Sequence, residues 1–296
     1  MNALNELLPG FTHGIAHVNG VAVHYSIGGA GPPLLCLAGH PQTRVIWHKV
    51  APELIKRFTV VLADIRAYGD TTRPPATEDH APYSKRVMAQ DMVALMQQLG
   101  LPTFRLLAHD RGARVAHRLM LDHPQAAERA VLLDIAPTLA MYEGTTELFA
   151  RKYWHWFFLI QRAPLPERMI AADPELYVTS VMGSRHAGLS AFAPAAMAEY
   201  LRCAQLPGWA EGICEDYRAA ATIDLEHDRE SRQAGEKVRC PLLVLWGAHG
   251  VVAQCFDTLN IWRQYAVNVR GNTAPCGHYI PEEAPEALLA QINQFL

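Results

Sequence analysis

The residues best suited to chemistry lie in the segment 106–114, where an apolar run meets a turn of small residues with a carboxylate, Asp110, at its apex. A carboxylate is a weak nucleophile that suits displacement of a leaving group from carbon, whereas a serine alkoxide attacks a carbonyl directly. The pattern therefore favours dehalogenation or epoxide opening over ordinary ester hydrolysis. The alternative is that Asp110 only caps a helix that begins at Arg111, a position where aspartate is common.

A strand, a sharp turn of small residues and a helix, in this order, form the nucleophile elbow of α/β-hydrolases. Displacement by Asp110 leaves an ester, whose hydrolysis needs a general base. The chain has 14 histidines, and we expect most of them at the surface or in the core. We predict His278 as the base because it follows a glycine in a loop just before a carboxy-terminal helix, where this fold presents its base.

The base needs an acidic partner that fixes its tautomer and stabilises the imidazolium. The loop after the strand predicted at 242–246 contains no acid before Asp257, whereas Asp134 stands at the carboxyl end of the strand predicted at 130–134. We therefore predict that Asp134 orients His278. Its alternative role is that of a cap or turn residue.

Two arginines, Arg111 and Arg114, follow the nucleophile at a spacing that places them on one face of a helix. Guanidinium groups match carboxylates bidentately, and a substrate carboxylate held here would present its α-carbon to Asp110. The alternative is that the arginines pair with surface acids. Cations in the first turn oppose the helix dipole, however, so they need another reason to be there, and an anionic substrate supplies it.

A departing halide needs hydrogen-bond donors that do not themselves react, and imidazole and indole N–H groups meet this condition. His155 and Trp156 lie in an aromatic run at 153–158. At helical spacing, such a cluster is more often packing than a binding site. The residues alone therefore favour packing for both side chains, with halide binding as the alternative.

Strands and helices must position these residues, and apolar runs bounded by turn residues predict where the strands lie. Such runs predict strands at 21–27, 34–38, 59–64, 104–108, 130–134 and 242–246. Helical patterns lie between several of them, notably at 83–99 and 111–122, and end at Gly100 and at the His123-Pro124 pair. Strands that alternate with helices predict a mostly parallel sheet.

The alternation stops after residue 137 and resumes near residue 240. The interval is rich in aromatic residues, Met and Pro, and we predict a helical cap over the carboxyl ends of the strands, where open α/β sheets bind ligands. The predicted organisation is an α/β core of residues 1–137 and 233–296 with a cap of residues 138–232.

Composition excludes several classes of function. The 296 residues, half of them apolar, suffice for one core domain with an insertion. The net charge of −3 comes from interspersed signs, so we expect neither nucleic acid nor a membrane surface as partner. The first basic residue is Arg44, which argues against a secretory signal and for a cytoplasmic protein. The six cysteines form no C-x-x-C pair, so we expect no disulfide and no zinc site.

Together these residues resemble the fluoroacetate dehalogenase (haloacetate dehalogenase) family of α/β-hydrolases over nearly the whole chain. The motifs that carry the resemblance are Pro-Gln-Thr at 41–43, Trp-His-Lys at 47–49, Ala-Asp-Ile-Arg at 63–66, His-Asp-Arg-Gly-Ala-Arg at 109–114, Trp-His-Trp at 154–156, Glu-Asp-Tyr-Arg-Ala at 215–219 and Gly-His at 277–278. The resemblance implies an α/β-hydrolase fold with a mostly parallel sheet flanked by helices and a helical cap inserted after the sixth strand. It also implies a homodimer that needs no metal and no organic cofactor.

The resemblance further implies a role for each candidate residue. The set comprises the nucleophile Asp110 with its acid–base pair Asp134 and His278, a carboxylate clamp of Arg111 and Arg114, and a halide pocket of His155, Trp156 and Tyr217. The role of Tyr217 rests on the resemblance alone.

The chain departs from the family at two places. The family usually reads His-Gly-Phe/Tyr-Pro where this chain reads Ala38-Gly39-His40-Pro41. We expect the oxyanion hole to persist, because it uses the backbone N–H groups of His40 and Arg111, but the pocket wall beside the halide to differ. A cap tryptophan expected near 182–184 is absent, which predicts a roomier site.

The predicted function is hydrolysis of a small anionic haloacid, fluoroacetate or chloroacetate, to glycolate and halide. One alternative is an epoxide hydrolase, which typically needs paired cap tyrosines; Tyr217 could be one, with no clear second. The other is a catalytically silent binding protein of the same fold. A silent protein is expected to have lost part of its triad, whereas Asp110, Asp134 and His278 all remain.

Overall fold

An eight-stranded sheet forms the centre of the molecule, which is described over residues 3–296 by a computed structural model. The strands are β1 (Phe11–Val18), β2 (Val21–Gly28), β3 (Pro33–Leu37), β4 (Thr59–Ala63), β5 (Phe104–His109), β6 (Ala127–Leu133), β7 (Leu242–Gly247) and β8 (Val269–Ala274). Their spatial order is β1-β2-β4-β3-β5-β6-β7-β8. The pairs β1–β2 and β2–β4 are antiparallel and the others are parallel, so the predicted mostly parallel α/β sheet is confirmed.

The six predicted strands are all present, as β2 to β7, with ends displaced by at most three residues. The central strands β3, β5 and β6 form because their apolar runs are buried on both faces, as parallel strands require. The outermost strands β1 and β8 were not predicted. Their sequences mix polar residues and glycine with apolar ones and leave several positions exposed, so they lack a continuous apolar run.

Helices alternate with the strands along the chain. The helices that precede β6 are α1 (Ala3–Leu7), α2 (Ala51–Leu54), α3 (Lys85–Gln98) and α4 (Asp110–Asp122). The helix predicted at 83–99 begins later, at Lys85, because the Ser84 side chain caps it by accepting a hydrogen bond from the Val87 amide. The helix predicted from residue 111 begins one residue earlier, at the candidate nucleophile itself.

The chain between β6 and β7 is helical, as predicted. It forms α5 (Thr138–Glu143), α6 (Glu147–Lys152), α7 (Trp154–Leu159), α8 (Leu165–Ala172), α9 (Pro174–Gly183), α10 (Pro194–Ala204), α11 (Trp209–Ala221) and α12 (Ile223–Gln233). The remaining helices are α13 (Val251–Cys255), α14 (Thr258–Tyr265), α15 (Ile280–Glu283) and α16 (Pro285–Phe295), with short 3-10 helices at Arg44–Lys49, Ala81–Tyr83 and Gly188–Ala191. No helix within residues 3–296 has the length and apolar character needed to cross a membrane.

Candidate active site

Asp110 occupies a sharp turn between β5 and α4. Its φ of +48° lies in the left-handed region, which L-residues adopt at a cost and which proteins retain where neighbouring structure enforces it. Two glycines allow this turn and the loop after β3 to lie close together. A Cβ on Gly112 would lie 2.4 Å from the Ala38 carbonyl oxygen, and one on Gly39 would lie 2.5 Å from Asp110 Oδ1. Gly112 of the predicted elbow is therefore required by close contact with the backbone after β3, and Gly39 in that loop is required by its contacts with Asp110 and with the Arg111 amide.

The carboxylate of Asp110 is buried and ionised. Its Oδ1 accepts a hydrogen bond from the His40 amide at 2.9 Å. Burial acts to raise the pKa of this carboxyl, but neighbouring groups outweigh burial and lower the pKa to about 2; these are His278, His109, Arg114 and Arg111. The group is thus an anion throughout the neutral range, and a backbone donor from the loop after β3 already points at one of its oxygens.

His278 lies between two carboxylates. Its Nδ1 donates a hydrogen bond to Asp134 Oδ2 at 2.6 Å, whereas its Nε2 is 3.9 Å from Asp110 Oδ2, too far for a direct hydrogen bond. Asp134 is itself fixed, because its Oδ1 accepts from the Gly247 amide at the end of β7 (2.9 Å). The three residues predicted as nucleophile, acid and base are thus brought together at the carboxyl edge of β5 and β6.

A second histidine supports the loop that carries His278. His109, the residue before the nucleophile, donates from Nε2 to the His278 carbonyl oxygen at 2.9 Å. Burial lowers the pKa of His109 to about 4, so the ring is neutral. Its part in the site was not predicted, since a histidine beside an elbow carries no signal that it will reach a loop 169 residues away.

Arg111 is fully buried, and its partner is not a surface acid. Its Nε donates to Asp216 Oδ2 at 2.7 Å, and its Nη2 donates to Asp216 Oδ1 at 3.0 Å and to the carbonyl oxygen of the same residue at 2.8 Å. The guanidinium also lies 4.1 Å from the centre of the Tyr217 ring. The third nitrogen, Nη1, has no hydrogen-bond partner among the residues that the structure describes.

Arg114 is held in a similar way. Its Nη1 donates to the Ala136 carbonyl oxygen at 3.1 Å and to Thr138 Oγ1 at 2.9 Å, while its guanidinium lies 4.7 Å from the centre of the Trp156 indole. Within the described chain only its Nε lacks a partner. A bidentate fork from either arginine is therefore not available. Each arginine instead offers one nitrogen, so that a carboxylate would be shared between them.

The three residues assigned to the halide pocket converge from two cap helices. His155 and Trp156 come from α7 and Tyr217 from α11, and all are buried. The centre of the Tyr217 ring is 5.9 Å from that of His155 and 6.2 Å from that of Trp156. Trp156 Nε1 and the Tyr217 hydroxyl have no hydrogen-bond partner among residues 3–296, so both donors are available to a ligand.

These donors are electrically neutral. Burial lowers the pKa of His155 far below its ordinary value, with Arg185 as the next cause. Burial and the Asp110 charge raise the pKa of the Tyr217 hydroxyl, which therefore keeps its proton. A pocket of neutral N–H and O–H groups suits a leaving anion, because it stabilises the charge without supplying a competing acid.

His40 forms a polar wall of this pocket. Its ring is buried, lies 5.3 Å from the Tyr217 ring and stacks on His155 at 5.9 Å between ring centres. Its Nε2 is hydrogen-bonded to the Tyr177 hydroxyl at 3.0 Å, and burial lowers its pKa to about 3. An imidazole thus lies beside the side chains of His155 and Tyr217, at the position where the sequence departs from the family. Neither Tyr177 nor Asp216 was predicted, since each is defined by its contacts across the fold.

Comparison with known proteins shows the family to which the chain belongs. Residues 32–285 match the family model of the alpha/beta hydrolase fold. The chain is 40% identical to a fluoroacetate dehalogenase from a Burkholderia species over 98% of its own length and 95% of the relative. It is 31% identical to a soluble epoxide hydrolase from Corynebacterium sp. (strain C12), with 96% of each chain covered. The solved structure of an α/β hydrolase from Nostoc sp. PCC 7120 shares 49% identity, with a TM-score of 0.95 over 97% of this chain and 98% of that one.

Proposed function

Because this chain belongs to the α/β-hydrolase family, we propose that it hydrolyses the carbon–halogen bond of haloacetates and releases glycolate and halide. One observation carries the proposal. Around the ionised Asp110, two buried cations and two buried neutral donors each retain an atom without a partner in the described chain: Arg111 Nη1, Arg114 Nε, Trp156 Nε1 and Tyr217 Oη. A haloacetate carries one carboxylate for the cations and one leaving anion for the neutral donors.

The first step is displacement at carbon. The substrate carboxylate accepts hydrogen bonds from Arg111 and Arg114, which holds its α-carbon against Asp110. An Asp110 oxygen forms a bond to that carbon as the carbon–halogen bond breaks, and the halide leaves with the bonding electron pair. His155, Trp156 and Tyr217 donate hydrogen bonds to the departing halide.

The second step is hydrolysis of the ester on Asp110. The gap of 3.9 Å between His278 Nε2 and Asp110 Oδ2 excludes a direct bond and suits a base that acts on water beside the ester. His278 takes a proton from that water, and the hydroxide attacks the ester carbonyl carbon. The His40 amide, 2.9 Å from Asp110 Oδ1, stabilises the oxyanion until glycolate leaves and takes up the proton from His278. The Asp110 carboxyl then releases its remaining proton to water, which restores the carboxylate.

Epoxide hydrolysis is the second candidate, supported by the soluble epoxide hydrolase among the relatives. The structure also supplies a further buried cap tyrosine, Tyr153, whose ring centre is 6.3 Å from that of His278. A neutral epoxide, however, leaves the free nitrogens of Arg111 and Arg114 buried without an anion, which costs on the order of 1–3 kcal/mol for each unsatisfied group. The anionic substrate is therefore the better match.

The test is release of halide and glycolate by the purified, folded protein from fluoroacetate, chloroacetate and bromoacetate, with Asp110→Ala as the inactive control. We expect both products in equal amounts. If none of the three substrates yields halide while styrene oxide is opened, the epoxide alternative replaces the proposal. If neither class reacts, the protein is a binding protein with a complete triad.

A further inference from the structure

A cavity of about 400 Å³ adjoins His278, between the cap and the loop after β7. Basic side chains dominate its lining, and no aspartate or glutamate of residues 3–296 lines it; the basic residues are Arg151, Lys152, Arg185, His186 and His249. His186 and His249 are exposed and stack at 4.4 Å between ring centres. A concave surface with one sign of charge concentrates anions.

Arg185 is the buried member of this set, with 9% of its surface exposed. Its guanidinium lies 4.4 Å from the centre of the Tyr153 ring, and that ring in turn meets His278 edge-on. Nη1 donates to the Lys152 carbonyl oxygen at 3.2 Å, while Nε has no hydrogen-bond partner in the described part of the chain. A buried guanidinium with an unused donor, facing a cavity, indicates a site for an anion.

The position of Arg185 also changes an expectation about the size of the site. The tryptophan expected near 182–184 is absent, which predicted only additional room. Burial is the main cause that lowers the pKa of His40 and of His155, and the nearby charge of Arg185 adds to the shift of both rings. Arg185 directly follows the segment where the tryptophan is absent, and it lines the cavity beside His278 as a cation that can recognise part of a larger substrate.

We infer that Arg185 binds a second carboxylate, so that 2-halodicarboxylates such as 2-chlorosuccinate are substrates of this site. The inference rests on the proposed dehalogenation and extends it. Arg111 and Arg114 hold the carboxylate next to the halogenated carbon, and the other carboxylate extends past His278 to Arg185. The ion pair between Arg185 and the second carboxylate would be buried. Burial matters because an exposed arginine–carboxylate pair contributes too little to select a substrate.

The chemistry at carbon is unchanged. Asp110 forms a bond to C2 as the C2–Cl bond breaks and chloride leaves with the electron pair. Water activated by His278 then cleaves the acyl–oxygen bond of the ester, and C2 keeps its oxygen. The product is 2-hydroxysuccinate with the opposite configuration at C2, because only the first step acts on that carbon.

The experiment compares kcat/KM for 2-chlorosuccinate and chloroacetate in the wild type, in Arg185→Gln and in Arg151→Gln. Arg151 lines the same cavity but is exposed and paired with Glu147, which makes it a matched control. We expect Arg185→Gln to lower kcat/KM for chlorosuccinate by about tenfold or more, since a charge-assisted hydrogen bond is lost. The value for chloroacetate is expected to fall by much less than that for chlorosuccinate, because chloroacetate has no second carboxylate, and Arg151→Gln is expected to change neither.

Two outcomes would overturn the inference. If the wild type acts on chloroacetate but not on chlorosuccinate, the second carboxylate is not accepted, although the dehalogenation stands. If Arg185→Gln lowers both values equally, Arg185 only attracts anions in general.

If the protein does not dehalogenate, calorimetry can still measure the affinities of succinate and propionate for the same site. We expect succinate to bind more tightly than propionate to the wild type, and the difference to disappear in Arg185→Gln. Equal binding of both by the wild type contradicts a site for a second carboxylate.

Discussion

Asp216 holds Arg111 by two parallel hydrogen bonds, Nε to Oδ2 at 2.7 Å and Nη2 to Oδ1 at 3.0 Å, with both side chains fully buried. The same carboxylate accepts from the Tyr68 hydroxyl at 2.7 Å and pairs with Lys85. Burial acts to raise the pKa of Asp216, but Arg111 and Lys85 outweigh it and hold the pKa well below the ordinary value. An acid on the cap thus fixes which nitrogen of Arg111 remains without a hydrogen-bond partner among the described residues.

Asp216→Asn is expected to raise KM for chloroacetate by about tenfold and to lower the free energy of unfolding by about 3 kcal/mol, because two buried cations lose their counter-charge. Steady-state kinetics and urea unfolding measure the two effects. Asp224→Asn is the matched control, since Asp224 also contacts Lys85, at 3.4 Å. It is expected to lower stability with little change in KM. An unchanged KM in Asp216→Asn would show that Arg111 does not need this partner.

His278→Asn is expected to stop turnover after the first step, because the ester forms by attack of Asp110 but loses its base for hydrolysis. One equivalent of halide per protein should appear in a burst. Intact-mass measurement should then show an increase equal to one carboxymethyl group, located on the peptide that contains Asp110. Asp110→Ala provides the control without nucleophile. Continued turnover in His278→Asn at the wild-type rate would remove His278 from the mechanism.

Tyr217→Phe is expected to slow fluoroacetate more than bromoacetate, since fluoride depends most on hydrogen bonding as it leaves. Loss of one preorganised donor costs about 100-fold in rate where charge develops, and we expect an effect of that order for fluoroacetate. Trp154→Phe changes an exposed aromatic residue of α7 beside the pocket residues and is expected to have little effect. Equal slowing of all three haloacetates in Tyr217→Phe contradicts halide binding by this hydroxyl.

Buried histidines that stay neutral in the fold are expected to destabilise the protein as the pH drops from about 6.5 toward 4. Burial lowers the pKa to about 3 for His40 and His117 and to about 4 for His109, against an ordinary 6.5. At each of these three histidines the unfolded chain binds more protons in this range, so their contribution to the free energy of unfolding rises with pH there.

Urea unfolding at several pH values measures this dependence. His117 packs edge-on against Trp262 at 5.0 Å between ring centres, outside the candidate site, and so provides the variant. His117→Gln is expected to reduce the slope by up to about 1.4 kcal/mol per pH unit. A slope identical to that of the wild type would show that this histidine is not kept neutral by the fold.

The parallel strands and the elbow could be predicted from the sequence because both are encoded locally. Continuous apolar runs reveal strands buried on two faces, and the pattern of small residues around Asp110 follows from the contacts of Gly39 and Gly112 at one tight turn. The edge strand β8 was not predicted, because its sequence lacks such a local pattern. Its exposed residues alternate without a clear apolar run, and only pairing with β7 makes it a strand.

The sequence by itself predicted a carboxylate nucleophile, an acid at the end of a strand, a base in the loop before the last helix, and a helical cap. Only the tertiary structure decided that Arg111 pairs with an acid 105 residues away and that Arg185 faces a cavity beside His278. The spacing of apolar residues predicts which face of a helix or strand is buried, because that spacing follows from the geometry of the single element. Which buried groups meet depends on how the cap docks on the sheet, and that docking sets which nitrogens and hydroxyls remain free for a substrate.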